Sequence, residues 1–405
     1  MSMKQSLKEF IKTGWGKART TPSATDLALP YPFVPPSITL DGMHRTLYYW
    51  DTYFTNVGLI ADGHSDWAKD NVDDLLFALR HFGCVPNYTR KDGADYCSQP
   101  PLLAMMVRDI YAETKDGAWL KQAVADLEKE YGFWMTERLT PIGLNQYGTN
   151  AKDEKLLLDY YAYVSNRVEL DQTLPDEEKI RIAKNFVAEG ESGEDYTPRY
   201  ENHNALEYAQ IDLNAHLYGV EGFLADYFQG KDEEKHAYYA KQKIDRLARI
   251  EKYCFNEKTG TYCDYNFVTG KKNQIVCAAC FLPHYYGFAR KDSNVAFIYN
   301  ILKTKGGVAS CQDTGEHGYQ WGYPYIWAPH QYFAYVALKN YGAEQQAEEL
   351  RVNYMRLLSS VYDKTQFLWE RYDENGQAAD LEYPTQPMLG WTAGVYTYLA
   401  AQPQK

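Results

Sequence analysis

The sequence predicts an all-α fold, on three observations. Apolar residues recur at spacings of three and four through most of the chain, while strand-like stretches are short and few. Loops rich in Gly, Pro and aromatic residues separate the periodic segments, and no Gly- or Ser-rich linker divides the chain. Taken in order, Met1 to Trp15 reads as an amphipathic helix, with Lys4, Glu9 and Lys12 among its apolar residues. Residues 16–40 carry Pro22, Pro30, Pro32, Pro35 and Pro36, which predicts an extended arm. Helical periodicity follows over 48–62, 66–80, 98–113, 117–136, 150–164, 176–189 and 205–229. It continues over 231–253, 273–289, 292–303, 325–341, 343–362 and 388–401. The face Leu120, Ala123, Leu127, Tyr131 and Trp134 is representative, as is Ala347, Leu350, Tyr354 and Leu357. Thr261–Tyr265 and Phe367–Arg371 are expected to form small hairpins. The expected organisation is residues 1–40 as helix and arm, packed on one helical domain spanning 41–405.

Composition narrows the function. The chain has 405 residues, 45% of them apolar and 24% charged, enough to bury a large core. Its formal charge of −12 argues against nucleic acid and anionic membranes as partners, since both would repel it. No apolar run reaches the ~20 residues of a spanning helix, and the N-terminus lacks a signal-like apolar stretch, so the expected address is the cytoplasm. Seven cysteines are an odd count for a disulfide framework and read as free thiols; Cys277 and Cys280, a C-x-x-C inside an apolar run, read as buried helical thiols. The nine histidines show no ligand spacing, so no metal is assigned. The 37 tyrosines are a weak pointer to sugar binding, because a ring with a polar tip suits both sugar faces and helix packing.

Five loops, 41–53, 83–101, 190–204, 305–329 and 367–391, concentrate Trp, Asp, Glu, Arg and Gln, and functional residues gather on loops held by a rigid scaffold. Glu191, Glu194 and Asp195 fall within five positions, Glu370 stands between Trp369 and Arg371, and Glu382 precedes Tyr383. Glycosidic cleavage needs one carboxylic acid to protonate the leaving oxygen and one carboxylate to activate water or attack carbon. Solvated loop acids that cap helices are the plainer reading of the same residues.

The motifs in order decide between these. Tyr48-Tyr-Trp-Asp-Thr-Tyr-Phe54, Val85-Pro-Asn-Tyr-Thr-Arg90, Cys97-Ser-Gln-Pro-Pro101 and Glu191-Ser-Gly-Glu-Asp-Tyr-Thr-Pro-Arg199 resemble successive trehalase segments. So do Ile211-Asp-Leu-Asn-Ala215, Tyr319-Gln-Trp-Gly-Tyr-Pro-Tyr-Ile-Trp-Ala-Pro329, Trp369-Glu-Arg-Tyr-Asp373 and Glu382-Tyr-Pro384 with Gly390-Trp-Thr-Ala-Gly-Val395. The chain thus resembles the glycoside hydrolase family 37 trehalases and the related family 63. The resemblance implies an (α/α)6 barrel, a toroid with long catalytic loops on one face, and an inverting hydrolase of small α-glycosides that uses no cofactor. Carried over by motif, it implies Asp195 as general acid and Glu370 as general base, with Trp50, Asp51, Asn87, Arg90, Gln99, Arg167, Gln320, Trp321, Trp327, Glu382 and Trp391 around the sugar. Asp212 and Asn214 read as loop or cap residues. Trp50, Trp327 and Trp391 also fit a plain core role, and Arg167 a surface ion pair.

Departures from the family pattern bear on substrate. Met43 stands where trehalases carry an arginine, Gly322 where they carry an aspartate, and Asn375 to Leu381 replaces a glycine-rich run. Hydrolysis of an α-glycoside, glucosyl or mannosyl, is therefore expected ahead of strict trehalase activity. The rival readings are a sugar epimerase using His81, His203, His317 or His330, an inverting phosphorylase, and a non-catalytic sugar-binding module.

Overall fold

The structure, a computed structural model, describes residues 6–22, 27–37, 46–316, 318–375 and 387–403. Among these residues the first helices are α1 (Leu7–Ala18), α2 (Tyr49–Ala61), α3 (Ser65–Phe82), α4 (Leu103–Thr114) and α5 (Gly117–Glu137). They are followed by α6 (Glu154–Val164), α7 (Asp176–Glu191), α8 (Ile211–Phe228), α9 (Glu233–Tyr253) and α10 (Leu282–Tyr285). The last four are α11 (Val295–Leu302), α12 (Ala328–Asn340), α13 (Glu344–Thr365) and α14 (Gly390–Ala401).

Six of them close a ring in which each packs on the next: α2, α4, α8, α10, α12, α14 and back to α2. The inner helices are apolar nearly all round. Every residue of α2 from Tyr49 to Leu59 is buried, and α12 is buried from Ala328 to Tyr335. The outer helices are amphipathic; α9 buries Tyr239, Arg246 and Ile250 and turns its Lys and Glu residues to water. Helices α3, α5, α9, α11 and α13 back the ring. Helix α1 takes the sixth outer place: Phe10 meets Tyr362 of α13 at 5.1 Å, and the Trp15 indole donates to Asp62 at the end of α2 at 2.9 Å. Leu7, Ile11 and Trp15 join the common core, so the N-terminal helix completes the barrel wall. The architecture is an (α/α)6 barrel.

Helices α2 and α14 touch backbone to backbone. A Cβ on Gly58 would lie 2.3 Å from the Gly394 Cα, and one on Gly394 would lie 2.0 Å from the Phe54 carbonyl oxygen. Only glycine admits this approach. It holds the Tyr48–Asp51 turn beside the turn that carries Trp391.

Helices α6 and α7 pair outside the ring over two small apolar clusters, one containing Leu157, Tyr161 and Ala183, the other Val164, Phe186 and Tyr196. They deliver Arg167 and the loop of Asp195 to one mouth of the barrel.

Two expectations are corrected. The 273–289 segment is one 3-10 turn, Ala278–Phe281, followed by the single turn α10. The Val276 and Ala278 amides donate to the Gln312 side chain and the Ser310 carbonyl, so they are not available to a helix ladder. Cys277 therefore sits at the start of that turn in an isolated bridge with Cys311, rather than inside a helix. All seven cysteines are buried free thiols. Among the described residues, Phe367–Arg371 pairs with no adjacent segment as a hairpin. Arg371–Tyr372 pairs antiparallel with the distant Ile326–Trp327, which sets Trp327 opposite Arg371. Thr261–Tyr262 does pair locally, with Phe255–Asn256.

Candidate active site

A cavity of about 530 Å³ opens where these loops converge, a size suited to a small ligand. Its floor is four indoles. Trp321 and Trp327 stack at 3.9 Å, Trp50 crosses Trp391 at 6.0 Å, and Trp327 crosses Trp391 at 5.6 Å, both nearly perpendicular. All four line the cavity while being almost fully buried, so they serve the core and the site together. Such rings offer flat apolar faces to sugar C–H groups.

The three clustered acids have separate fates. Glu191 is sealed in the interior. Arg138 grips it through Nε at 2.7 Å and Nη2 at 2.8 Å, and the Ser98 and Gly148 amides donate to the same carboxylate. Glu194 faces His330 at 2.9 Å and buried Arg199, which also binds Asp212 and Asp264. Asp195 alone turns to the cavity. Asp212 and Asn214 lie in the first turn of α8 as buried structural residues; Asn214 accepts from the Asn145 amide.

Asp195 is held on several sides. The Trp321 indole donates to Oδ1 at 3.3 Å, Arg167 reaches Oδ2 at 3.5 Å, and the Gln320 amide donates to its main-chain carbonyl at 3.2 Å. A third of its side chain stays open. The loop bend behind it needs Gly193, whose φ is +77° and whose Cβ position lies 2.6 Å from the Trp50 ring. Arg167 is no surface residue: its guanidinium lies 3.6 Å over the Tyr196 ring and also reaches Gln320.

Glu370 lines the same cavity. Arg371 donates to its Oε2 at 3.2 Å, and the Trp391 indole donates to its main-chain carbonyl at 3.2 Å. Asp51, buried in the first turn of α2, stands close enough to feel that charge. Burial foremost, then Glu370, pushes its carboxyl up to about 8. Asp51 is therefore protonated near neutrality and able to donate to a ligand hydroxyl. Gln99 lines the cavity and accepts from the Trp50 amide at 3.1 Å, occupying a free donor at the α2 start.

Of the sugar-contacting residues expected from sequence, Trp50, Asp51, Gln99, Arg167, Gln320, Trp321, Trp327 and Trp391 line the cavity with the two carboxylates. Asn87 and Arg90 are placed outside that lining. The Asn87 carbonyl accepts from the Tyr49 amide, steadying α2 through the backbone. Arg90 is 38% exposed along its side chain, pairs with Asp92 at 3.4 Å and lies 5.9 Å from the Tyr88 ring. Glu382 and Met43 lie outside the described residues. Sequence reading passed over Pro36, Tyr48, Tyr163, Asn166 and Met388, which also line the cavity. Tyr48 and Asn166 were visible as neighbours of motif residues, whereas Pro36 and Met388, joined to the site by the bridge of Ser37 with Met388, had no local signal. Among the described residues no group of three His, Cys, Asp or Glu side chains is disposed to hold a metal ion.

A barrel of paired helices with acids and indoles at one mouth defines the class: a carbohydrate-active enzyme. The family model described as trehalase matches residues 2–402. The periplasmic trehalase of Escherichia coli strain SMS-3-5 is 31% identical over 96% of this chain and 73% of its own. That of Salmonella agona strain SL483 is 32% identical over 96% and 72%. Among solved structures, the neutral trehalase of Saccharomyces cerevisiae superposes with a TM-score of 0.77 at 25% identity, covering 93% of this chain and 74% of that one. The family 63 mannosylglycerate hydrolase of Thermus thermophilus, solved with glucose, gives 0.65 at 16% identity over 96% and 99%, a likeness of fold. The chain belongs to the trehalase family, and it is a glycoside hydrolase acting on α-linked sugars.

Proposed function

We propose that the protein hydrolyses an α-glucoside with inversion, Asp195 acting as general acid and Glu370 as general base. One observation carries this: two carboxylates far apart in the chain line one cavity, each anchored by an arginine and an indole. In this reading Asp195 gives its proton to the glycosidic oxygen as the C1–O bond breaks. Glu370 takes a proton from the water that attacks C1 from the opposite face, and the two carboxyl groups regain their starting states after proton exchange with solvent. Asp51, protonated, and the indole floor would hold the glycone ring.

Trehalose itself is the second reading, favoured by the periplasmic trehalases among the relatives. Gly322 and Met43, where the family carries aspartate and arginine, favour a different leaving group. A panel of α-glucosides and α-mannosides, trehalose included, assayed for released monosaccharide with and without phosphate, separates these. Release should be faster from another α-glucoside than from trehalose, with no phosphate dependence. Trehalose as best substrate contradicts the leaving-group reading, and a phosphate requirement contradicts hydrolysis. The cytoplasm is the proposed address, supported by seven buried free thiols. Fractionation of the native cell tests it, and recovery in the periplasm, where the relatives reside, contradicts it.

A further inference from the structure

We propose that the groove beside the active-site cavity is a second subsite, which takes one more neutral sugar unit of the leaving group. The inference rests on Asp195 being the acid, because the acid marks the side from which the leaving group departs. The groove has a volume of about 600 Å³ and is lined by Arg167, Glu169, Tyr196, His203, Glu316 and Tyr319, among others. It continues the active-site cavity. Arg167 lines both, and two further loops pass from one to the other in a single step, Asp195 to Tyr196 and Gln320 to Tyr319. Asp195 sits at this junction, 3.5 Å from Arg167, while Glu370 and Asp51 line the cavity only. A chain protonated by Asp195 therefore has its exit through the groove.

The groove wall is built at a conformational cost. Tyr196 at φ 57° and His203 at φ 52° are left-handed non-glycine residues, and with Asn202 they account for three of the five such residues among those described. Strain of this kind collects where ligands are held. It is maintained by contacts. His203 is fixed by Glu189 at 2.8 Å and by the Phe186 ring at 4.5 Å, and it meets Tyr319 at 5.7 Å. The Arg167 guanidinium caps Tyr196.

The chemistry of the wall selects the ligand. The partly exposed rings of His203 and Tyr319 suit a sugar ring, with Tyr196 buried beneath Arg167 as their support. Glu169 and Glu316 are exposed acceptors for hydroxyls, and their two charges exceed the one of Arg167 on the same wall, which disfavours a carboxylate or phosphate. The preferred leaving group is thus a neutral saccharide of two units rather than a single ring or an acid.

Calorimetric titration of the Glu370→Gln enzyme tests this with maltose and maltotriose, with the α-1,2- and α-1,3-linked glucose disaccharides and their trisaccharides extended at the reducing end, and with glucosylglycerate. The trisaccharide of the best-bound linkage should bind about tenfold tighter than its disaccharide, the scale of one aromatic contact plus hydrogen bonds. Tyr319→Ala in that background should erase the difference while the disaccharide constant stays within about twofold, and Glu316→Gln should reduce it. Equal binding of the two lengths overturns the proposal, as does a Tyr319→Ala variant that weakens both alike, or tighter binding of glucosylglycerate than of the trisaccharide. Wild-type turnover by Glu370→Gln would instead overturn the catalytic reading, whatever the length dependence.

Discussion

The indole of Trp321 does two things at once: it stacks on Trp327 at 3.9 Å and donates to Asp195 Oδ1 at 3.3 Å. The floor of the pocket thereby sets the direction of the Asp195 carboxyl. Trp321→Phe retains most of the stacking surface and removes the donor. The hydrogen bond strengthens as Asp195 gives up its proton and gains charge; losing a bond to a charged group is worth roughly 1.5–3 kcal/mol, so kcat should fall about tenfold to a hundredfold with little change in Tm. Steady-state kinetics beside thermal denaturation check this; unchanged kcat would mean Trp321 only packs.

The two arginines singled out in the sequence should now behave differently. Arg167 is buried over most of its side chain, clamped on Tyr196 and reaching Asp195 at 3.5 Å, whereas Arg90 is partly exposed beside Asp92. A planar fork cannot be replaced by lysine at a stacked site. Arg167→Lys should lower kcat/KM by on the order of tenfold to a thousandfold, and Arg90→Lys by less than about threefold. Comparable losses in both variants would return Arg90 to the sugar site.

Much of this was legible in the chain. The period of 3.6 located the helices because inner and outer helices both pack apolar faces, and the ordered motifs pointed to the cavity because loops at a barrel mouth keep local patterns such as Tyr49-Trp-Asp51 and Gln320-Trp321. What failed did so for physical reasons. The 273–289 segment has helical spacing, yet its amides are taken by Gln312 and Ser310 across the fold. The pairing of Arg371 with Trp327, which carries Glu370 to the cavity, is too short and too distant to leave a strand signal. The three acids from Glu191 to Asp195 look alike in sequence; only Arg138, Arg199 and the cavity distinguish them.

Asp51 gives a pH dependence with a definite sign. Burial, and then Glu370, push its carboxyl up to about 8 in the fold, against the ordinary 3.8 of an exposed aspartate. Between those pH values the folded state holds a proton that the unfolded chain has released, so this group's contribution to stability falls as pH rises from about 4 to about 8. Asp51→Asn removes that contribution. The Tm of the variant relative to wild type should therefore be higher at pH 8 than at pH 5, as thermal denaturation at both values would show. The same difference at both would mean Asp51 is ionised in the fold.

The central claim is that Asp195 and Glu370 divide the work of an inverting site, and one measurement bears on it most directly. NMR should follow the anomer first released from the best α-glucoside, before mutarotation, in wild type and in the near-isosteric Asp195→Asn and Glu370→Gln variants. The account predicts the β-anomer from wild type, and from both folded variants a loss of turnover of at least about a thousandfold. The α-anomer from wild type would mean retention through a covalent intermediate, and full activity in either variant would remove that residue from the chemistry.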